Sequence, residues 1–74
     1  MRKCEFLVTK KDGQLSAGTI TLDNKGKLTI QSKKGYEVMM KEILEDGLAE
    51  KDVRVWFDRL PRYYDGSYLR ARIL

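Results

Sequence analysis

Residues 2–22, RKCEFLVTKKDGQLSAGTITL, hold two segments in which apolar and polar side chains alternate. The first segment, residues 2–9, places three apolar side chains on one side: Cys4, Phe6 and Val8. Alternation of this kind is typical of a strand with one buried face. The segments are separated by Asp12-Gly13, a dipeptide that favours a tight hairpin turn. We therefore expect the first two elements to pair as antiparallel strands.

The second segment changes phase near its middle. Leu15 and Ala17 occupy odd positions, whereas Ile20 and Leu22 occupy even ones. A shift of one residue in a strand sends every later side chain to the opposite face. A β-bulge inserts one extra residue, so a bulge at Gly18 would bring both pairs to the core. We predict a bulge at this glycine.

The same alternation indicates two further strands. A turn at residues 23–26 precedes a strand at residues 27–32, with Leu28 and Ile30 on the inner side. Residues 68–74 alternate again, with three apolar side chains on one side: Leu69, Ala71 and Ile73. The chain is therefore expected to begin with a three-stranded meander and to finish with one more strand.

The segment from Gly35 to Asp46 has helical spacing instead. Its larger apolar side chains recur at intervals of three and four residues: Tyr36, Met39, Met40, Ile43 and Leu44. We expect Ser32 to cap the start of this helix and Gly47 to follow its end as the C′ residue. Glu45 and Asp46 lie near the C-terminal end, where carboxylates oppose the helix dipole at a small cost.

Residues 50–60 are compatible with a helix or a strand. Four apolar side chains suit a short helix: Val53, Trp56, Phe57 and Leu60. A strand would leave two of these four on the wrong face, so the helix is the preferred prediction. Asp52 is the expected N-cap, and Pro61 is expected to end the helix and to open a loop over residues 61–67.

Together these patterns predict one small α+β domain spanning residues 1–74. We expect a three- or four-stranded antiparallel sheet, a β-meander, with one or two helices packed on one face, in the order β-β-β-α-(α)-β. A chain of this length buries only roughly 60% of its unfolded surface. Association with a second copy is therefore a reasonable expectation.

The composition argues against an enzyme, a metal site or a bound cofactor. The chain has no histidine and one cysteine, which excludes the usual zinc sites and catalytic triads. No glycine-rich phosphate loop occurs. No disulfide can form within the chain, the N-terminus does not resemble a signal peptide, and no apolar run approaches the length of a membrane span. We therefore expect a cytoplasmic protein.

Arginine and aromatic residues are concentrated between residues 54 and 72, which hold five of the six arginines and five of the seven aromatics. Arginine, tyrosine and tryptophan are enriched where protein interfaces gain most of their binding energy. The candidate partner-binding residues are Arg62, Tyr63, Tyr64, Tyr68, Arg70 and Arg72. The leading interpretation is a small non-enzymatic protein-interaction module. It would bind a protein partner or a second copy of itself, with the terminal strand as a pairing edge.

The alternative is a nucleic-acid-binding protein, because the net charge is +4. The exposed sheet face is expected to carry side chains that can contact phosphates or bases: Lys3, Thr9, Thr19, Thr21, Lys27, Thr29 and Gln31. Several carboxylates would dilute such a basic surface: Glu5, Glu37, Glu50, Asp52 and Asp58. The sequence leaves both interpretations open.

Overall fold

The computed structural model describes residues 1–74 and contains four strands and three helices. The strands are β1 (Arg2–Lys10), β2 (Gly13–Leu22), β3 (Leu28–Ser32) and β4 (Leu69–Ile73). The helices are α1 (Glu37–Leu48), α2 (Val53–Asp58) and α3 (Leu60–Tyr63). All strand pairs are antiparallel, and the sheet order is β3-β2-β1-β4. The predicted α+β class is confirmed, with four strands and with helices packed on the sheet.

The core lies between one face of the sheet and the helices. Cys4 on β1 lies opposite Ile20 on β2 and Ile73 on β4, so this face is apolar across three strands. As predicted, Phe6 and Val8 are buried beside Cys4. The helices complete the core with Met40, Ile43, Trp56, Phe57 and Leu60.

The predicted bulge is present in β2. The pairing of β1 with β2 passes from Phe6 opposite Gly18 to Leu7 opposite Ser16, so Ala17 is the extra residue. Gly18 has φ +146°, and a Cβ there would lie 2.2 Å from the backbone oxygen of Gln31 on β3. Only glycine therefore fits at this position without a change in the backbone.

One consequence expected of the bulge is wrong. Ala17, Ile20 and Leu22 are buried, but Leu15 is 53% exposed. The pairing places Leu15 opposite Val8, on the inner face, yet the core on β2 begins only at Ala17. Leu15 lies closer to the hairpin turn, beyond the part of the strand that joins the core.

Helix α1 begins later than predicted and without the predicted cap. Ser32 belongs to β3, because β3 continues to pair with β2 as far as this residue. The N-cap is Tyr36, whose side chain makes no capping hydrogen bond. The carboxylate of Glu37 instead accepts a hydrogen bond of 2.8 Å from the backbone N–H of Gly35. The first turn is thus held by an acidic side chain, which also suits the helix dipole.

Gly47 does not end α1, contrary to the prediction. It lies inside the helix and is buried, and the C-cap is Ala49. A Cβ at this position would lie 2.6 Å from two ring carbons of Trp56 and 2.9 Å from Cδ1 of Leu28. The glycine is therefore explained by the close approach of the α2 tryptophan, and not by a turn.

The helical interpretation of residues 50–60 is confirmed by α2. The carboxylate of Asp52 caps it, accepting hydrogen bonds of 3.2 Å from the backbone N–H groups of Arg54 and Val55. Pro61 does not open a loop, because it lies in the first turn of α3. Proline suits that position since its missing N–H would have no helical partner there and its φ is already helical.

Candidate functional site

One face of the sheet carries no core residue, and we call it the open face. Its residues alternate with the buried ones along each strand: Lys3, Glu5, Leu7, Thr9, Ser16, Thr19, Thr21, Thr29, Gln31, Tyr68, Arg70 and Arg72. One row crosses all four strands, since Arg72 lies opposite Glu5, Glu5 opposite Thr19, and Thr19 opposite Gln31. The prediction of which strand side chains lie on the face away from the core is therefore confirmed.

Two of the open-face cations take part in exposed ion pairs. Arg72 donates a hydrogen bond of 2.8 Å to the carboxylate of Glu5, and Nε of Arg70 lies 3.6 Å from Oδ1 of Asp65. The two arginine side chains are 63% and 56% exposed, so water screens both pairs and each contributes little to stability. Both guanidinium groups therefore remain accessible to a ligand.

Most of the acidic residues lie on the helical side of the fold, away from the open face. Seven of the eleven carboxylates lie between residues 37 and 58, in the helical layer. Of the five carboxylates expected to dilute the basic face, only Glu5 lies on it, and Asp58 instead pairs with Arg2. Lys27 and Lys33 flank β3 at either end, next to the open face.

A polar recess of about 470 Å³ lies on the open face beside the bulge. It is lined by Glu5, Ser16, Gly18, Thr19, Gln31, Ser32 and Lys33, and none of its walls is hydrophobic. The missing side chain at Gly18 lets β3 approach closely there. The recess thus offers hydroxyl, amide and ammonium groups in one place.

A second concavity, which we call the aromatic groove, lies on the helical side. Its volume is about 510 Å³, and it is lined by Asp46, Ala49, Glu50, Trp56, Tyr63 and Tyr64. Tyr63 is 57% exposed, whereas Tyr64 is half-buried and packs edge-on against Phe6 with a centroid separation of 5.6 Å. Burial, and then the charge of Asp46, raise the pKa of Tyr64.

The six predicted partner-binding residues do not form one surface. Tyr68, Arg70 and Arg72 lie on the open face, while Tyr63 and Tyr64 line the aromatic groove. Arg62 is exposed on α3 and lines neither concavity. The other groove residues, Asp46, Ala49, Glu50 and Trp56, were not among the predicted binding residues, and the unfavourable carboxylates at the end of α1 were the one sequence signal for Asp46.

The sheet has two edges that differ in exposure. The predicted edge strand β4 is partly covered, because Ala71 N donates to Tyr64 O at 2.8 Å and Gly66 N donates to Leu69 O at 3.1 Å. At the other edge, Lys33 N donates to Ala17 O, so odd-numbered residues of β3 face β2. The backbone groups of Leu28, Ile30 and Ser32 therefore point away from the sheet. The more open edge belongs to β3.

Cys4 has the properties of a core residue. Its side chain is fully buried, and burial raises the pKa of its thiol to about 11. The thiol is therefore protonated at neutral pH, which makes it a poor nucleophile.

The open face and the aromatic groove present charge, hydrogen-bonding groups and aromatic rings. Every buried side-chain nitrogen or oxygen has a hydrogen-bond partner, and no three acidic or cysteine side chains cluster as metal ligands would. None of the helices has the length and apolar character needed to cross a bilayer. No protein-family model, curated protein or solved structure matches the chain.

Proposed function

We propose that the protein is a non-enzymatic binding module whose open face binds the phosphate backbone of nucleic acid. The excess of cations over carboxylates on this face carries the proposal. Glu5 is the one carboxylate on the face, and Asp65 pairs with Arg70 beside it, whereas five cations lie on or beside the face: Lys3, Lys27, Lys33, Arg70 and Arg72. Most other carboxylates lie in the helical layer, so the face presents positive potential to an anionic polymer.

The uncharged side chains of the face support the same partner. Thr19, Thr21, Thr29 and Gln31 offer hydroxyl and amide groups that can bind phosphate and sugar oxygens. Tyr68 is 55% exposed and offers a ring on which a base can stack. Protein–protein interfaces have an apolar centre, whereas interfaces with nucleic acid are more polar and more positive. The open face resembles the second type.

The width of the sheet argues against insertion into a groove of duplex DNA. Four strands at about 4.8 Å spacing are about 14 Å wide, and the major groove is only about 12 Å wide. A single strand of nucleic acid lying across the sheet would instead reach both the arginines of β4 and the threonines of β2. We therefore propose that single strands bind more tightly than duplexes.

The proposal is tested by fluorescence anisotropy with labelled single-stranded and duplex oligonucleotides. With about four phosphate contacts, single-strand affinity should fall about 50-fold between about 50 and about 200 mM salt. The double variant Arg70→Gln with Arg72→Gln should bind weakly and should lower the salt slope by about 1.4.

A matched control is Arg59→Gln with Arg62→Gln, which removes the same charge from the helical side. This control should bind almost as the parent does. Equal losses in the two double variants would mean that only net charge matters, and the open face would lose its role. No saturable binding at low salt would reject the nucleic-acid proposal altogether.

A protein partner at the aromatic groove is a second candidate function. The observation in its favour is the exposed ring of Tyr63, which stands beside Trp56 and Tyr64 at a concave site. Tyrosine and tryptophan are enriched among the residues that contribute most to binding at protein interfaces. The partner is either another protein or a second copy of this chain, and sedimentation of the protein alone separates the two.

A further inference from the structure

We propose that the aromatic groove recognises an arginine side chain presented by a partner protein. This inference rests on the second candidate function and adds the chemistry of recognition to it. It is independent of nucleic-acid binding, because the groove lies on the helical side and shares no residue with the open face.

Aromatic rings form the walls of the groove. Trp56 is only 5% exposed, whereas Tyr63 is 57% exposed and presents most of the accessible aromatic surface. Tyr64 also lines the groove and packs edge-on against Phe6. The faces of such rings attract cations, and a planar guanidinium can also stack on them.

Two carboxylates in the groove have no cationic partner within the chain. The three ion pairs of the protein use Asp58, Asp65 and Glu5, so Asp46 and Glu50 are both free. The charge of Asp46 reaches the hydroxyl of Tyr64, whose pKa it helps to raise after the larger effect of burial. Carboxylate and aromatic groups thus meet in the same concavity, which is what a bound guanidinium requires.

The groove also lies at the negative end of α1. Asp46 is in the last turn, Ala49 is the C-cap, and no basic residue occupies that turn. Carbonyl groups at a helix C-terminus favour cations and disfavour carboxylates. The chain therefore keeps Asp46 where helix formation disfavours a carboxylate. Departures of this kind from local preference are concentrated at functional sites.

The groove is large enough to hold one arginine side chain. Its volume of about 510 Å³ is open to solvent along one side, and Ala49 adds only a methyl group to the wall. A guanidinium could lie against the rings with its stem directed outward. Its N–H donors could then reach Asp46 and Glu50.

The inference is tested by NMR with the peptide acetyl-Gly-Gly-Arg-Gly-Gly-amide added to the ¹⁵N-labelled protein. The expected shifts are confined to the amides of Ala49 and Tyr63 and the indole N–H of Trp56. The same peptide with citrulline in place of arginine has nearly the same shape and no charge, so it should cause none of these shifts.

The decisive variant is Asp46→Asn with Glu50→Gln, which should bind the arginine peptide about tenfold more weakly or not at all. Its matched control is Glu42→Gln with Glu45→Gln, which makes the same change in net charge at two positions on α1 outside the groove. The ¹⁵N spectrum of each variant shows directly whether the fold is kept. The control should bind as the parent does.

Three results would overturn the inference: no shifts with the arginine peptide, equal shifts with citrulline, or equal losses in both double variants. One further result would distinguish the protein interface at the groove from its recognition of arginine. In that result, self-association or partner binding is lost in Tyr63→Ala but kept in Asp46→Asn with Glu50→Gln. The groove would then remain a protein interface, and its recognition of arginine would be refuted.

Discussion

The bulge at Gly18 can be tested by adding a single methyl group. Gly18→Ala places a Cβ 2.2 Å from the backbone oxygen of Gln31 and 3.0 Å from Cα of Ser32, so β3 has to move. Gly13→Ala is the matched control, because Gly13 also has positive φ, +124°, but has no atom within 4 Å of the new Cβ. Both variants introduce backbone strain at a positive φ, but only Gly18→Ala brings the new Cβ into collision with the backbone of β3.

The expected magnitudes follow from these two contributions. Strain at such a φ costs about 1–3 kcal/mol, and both variants gain about 0.4–1 kcal/mol from a less flexible unfolded chain. Overpacking against backbone adds about 1–3 kcal/mol in Gly18→Ala alone. A chain of this size has a total stability of about 4–11 kcal/mol, so Gly18→Ala should lose a large part of it.

The assay is urea unfolding followed by the fluorescence of Trp56, with far-UV circular dichroism as a second probe. The free energy of unfolding of Gly18→Ala should be about 2 kcal/mol below that of Gly13→Ala. In thermal unfolding, this difference corresponds to a midpoint about 10 °C lower. A difference under about 0.5 kcal/mol between the two variants would refute the argument from close approach of β3.

The two groove tyrosines should respond differently to truncation. Tyr64→Ala should lower the free energy of unfolding by about 2 kcal/mol, because it removes the ring packed on Phe6, whereas Tyr63→Ala should change it by less than about 0.5 kcal/mol in urea unfolding. Stability should also fall in alkali, because the raised pKa of Cys4 keeps its thiol protonated in the folded state while the unfolded chain ionises. The contribution is complete below the ordinary thiol pKa of 9.0 and is lost as the pH rises toward about 11, so Cys4→Ala should show a flatter pH profile over that range.

Much of the fold follows from local patterns in the sequence. Alternation of side chains predicted all four strands, and the change of phase at Gly18 predicted the bulge, because period and phase are properties of neighbouring residues. Asp52 was predicted as a cap for the same reason. Features of this kind need no information about distant parts of the chain.

The predictions that proved wrong concern residue types that suit two different structural positions. A glycine after a helical stretch suits a C′ position, but it also suits a close approach by another element, and Gly47 has the second role. A proline can end one helix or begin the next, and Pro61 does the latter. The choice depends on where Trp56 and α3 pack, which is a property of the tertiary structure.

The candidate site was predictable only in part, because proximity along the chain is not proximity in space. Tyr63 and Arg70 are seven positions apart, yet one lies on the helical side and the other on the open face. Asp46 is further away in sequence and lies in the same groove as Tyr63. Both α1 and α3 contact α2, and this tertiary arrangement, which no local pattern encodes, creates that neighbourhood.

The exposed edge of β3 affects how the protein behaves at high concentration. Two copies joined antiparallel about Ile30 would place Lys27 of one copy opposite Lys33 of the other, twice in each pair. Repulsion between these lysines opposes the pairing of β3 strands from two molecules. Concentrated salt screens their repulsion, and acetylation removes it. The protein should therefore stay monomeric at low ionic strength and should form dimers joined through β3 once the lysines are screened or acetylated.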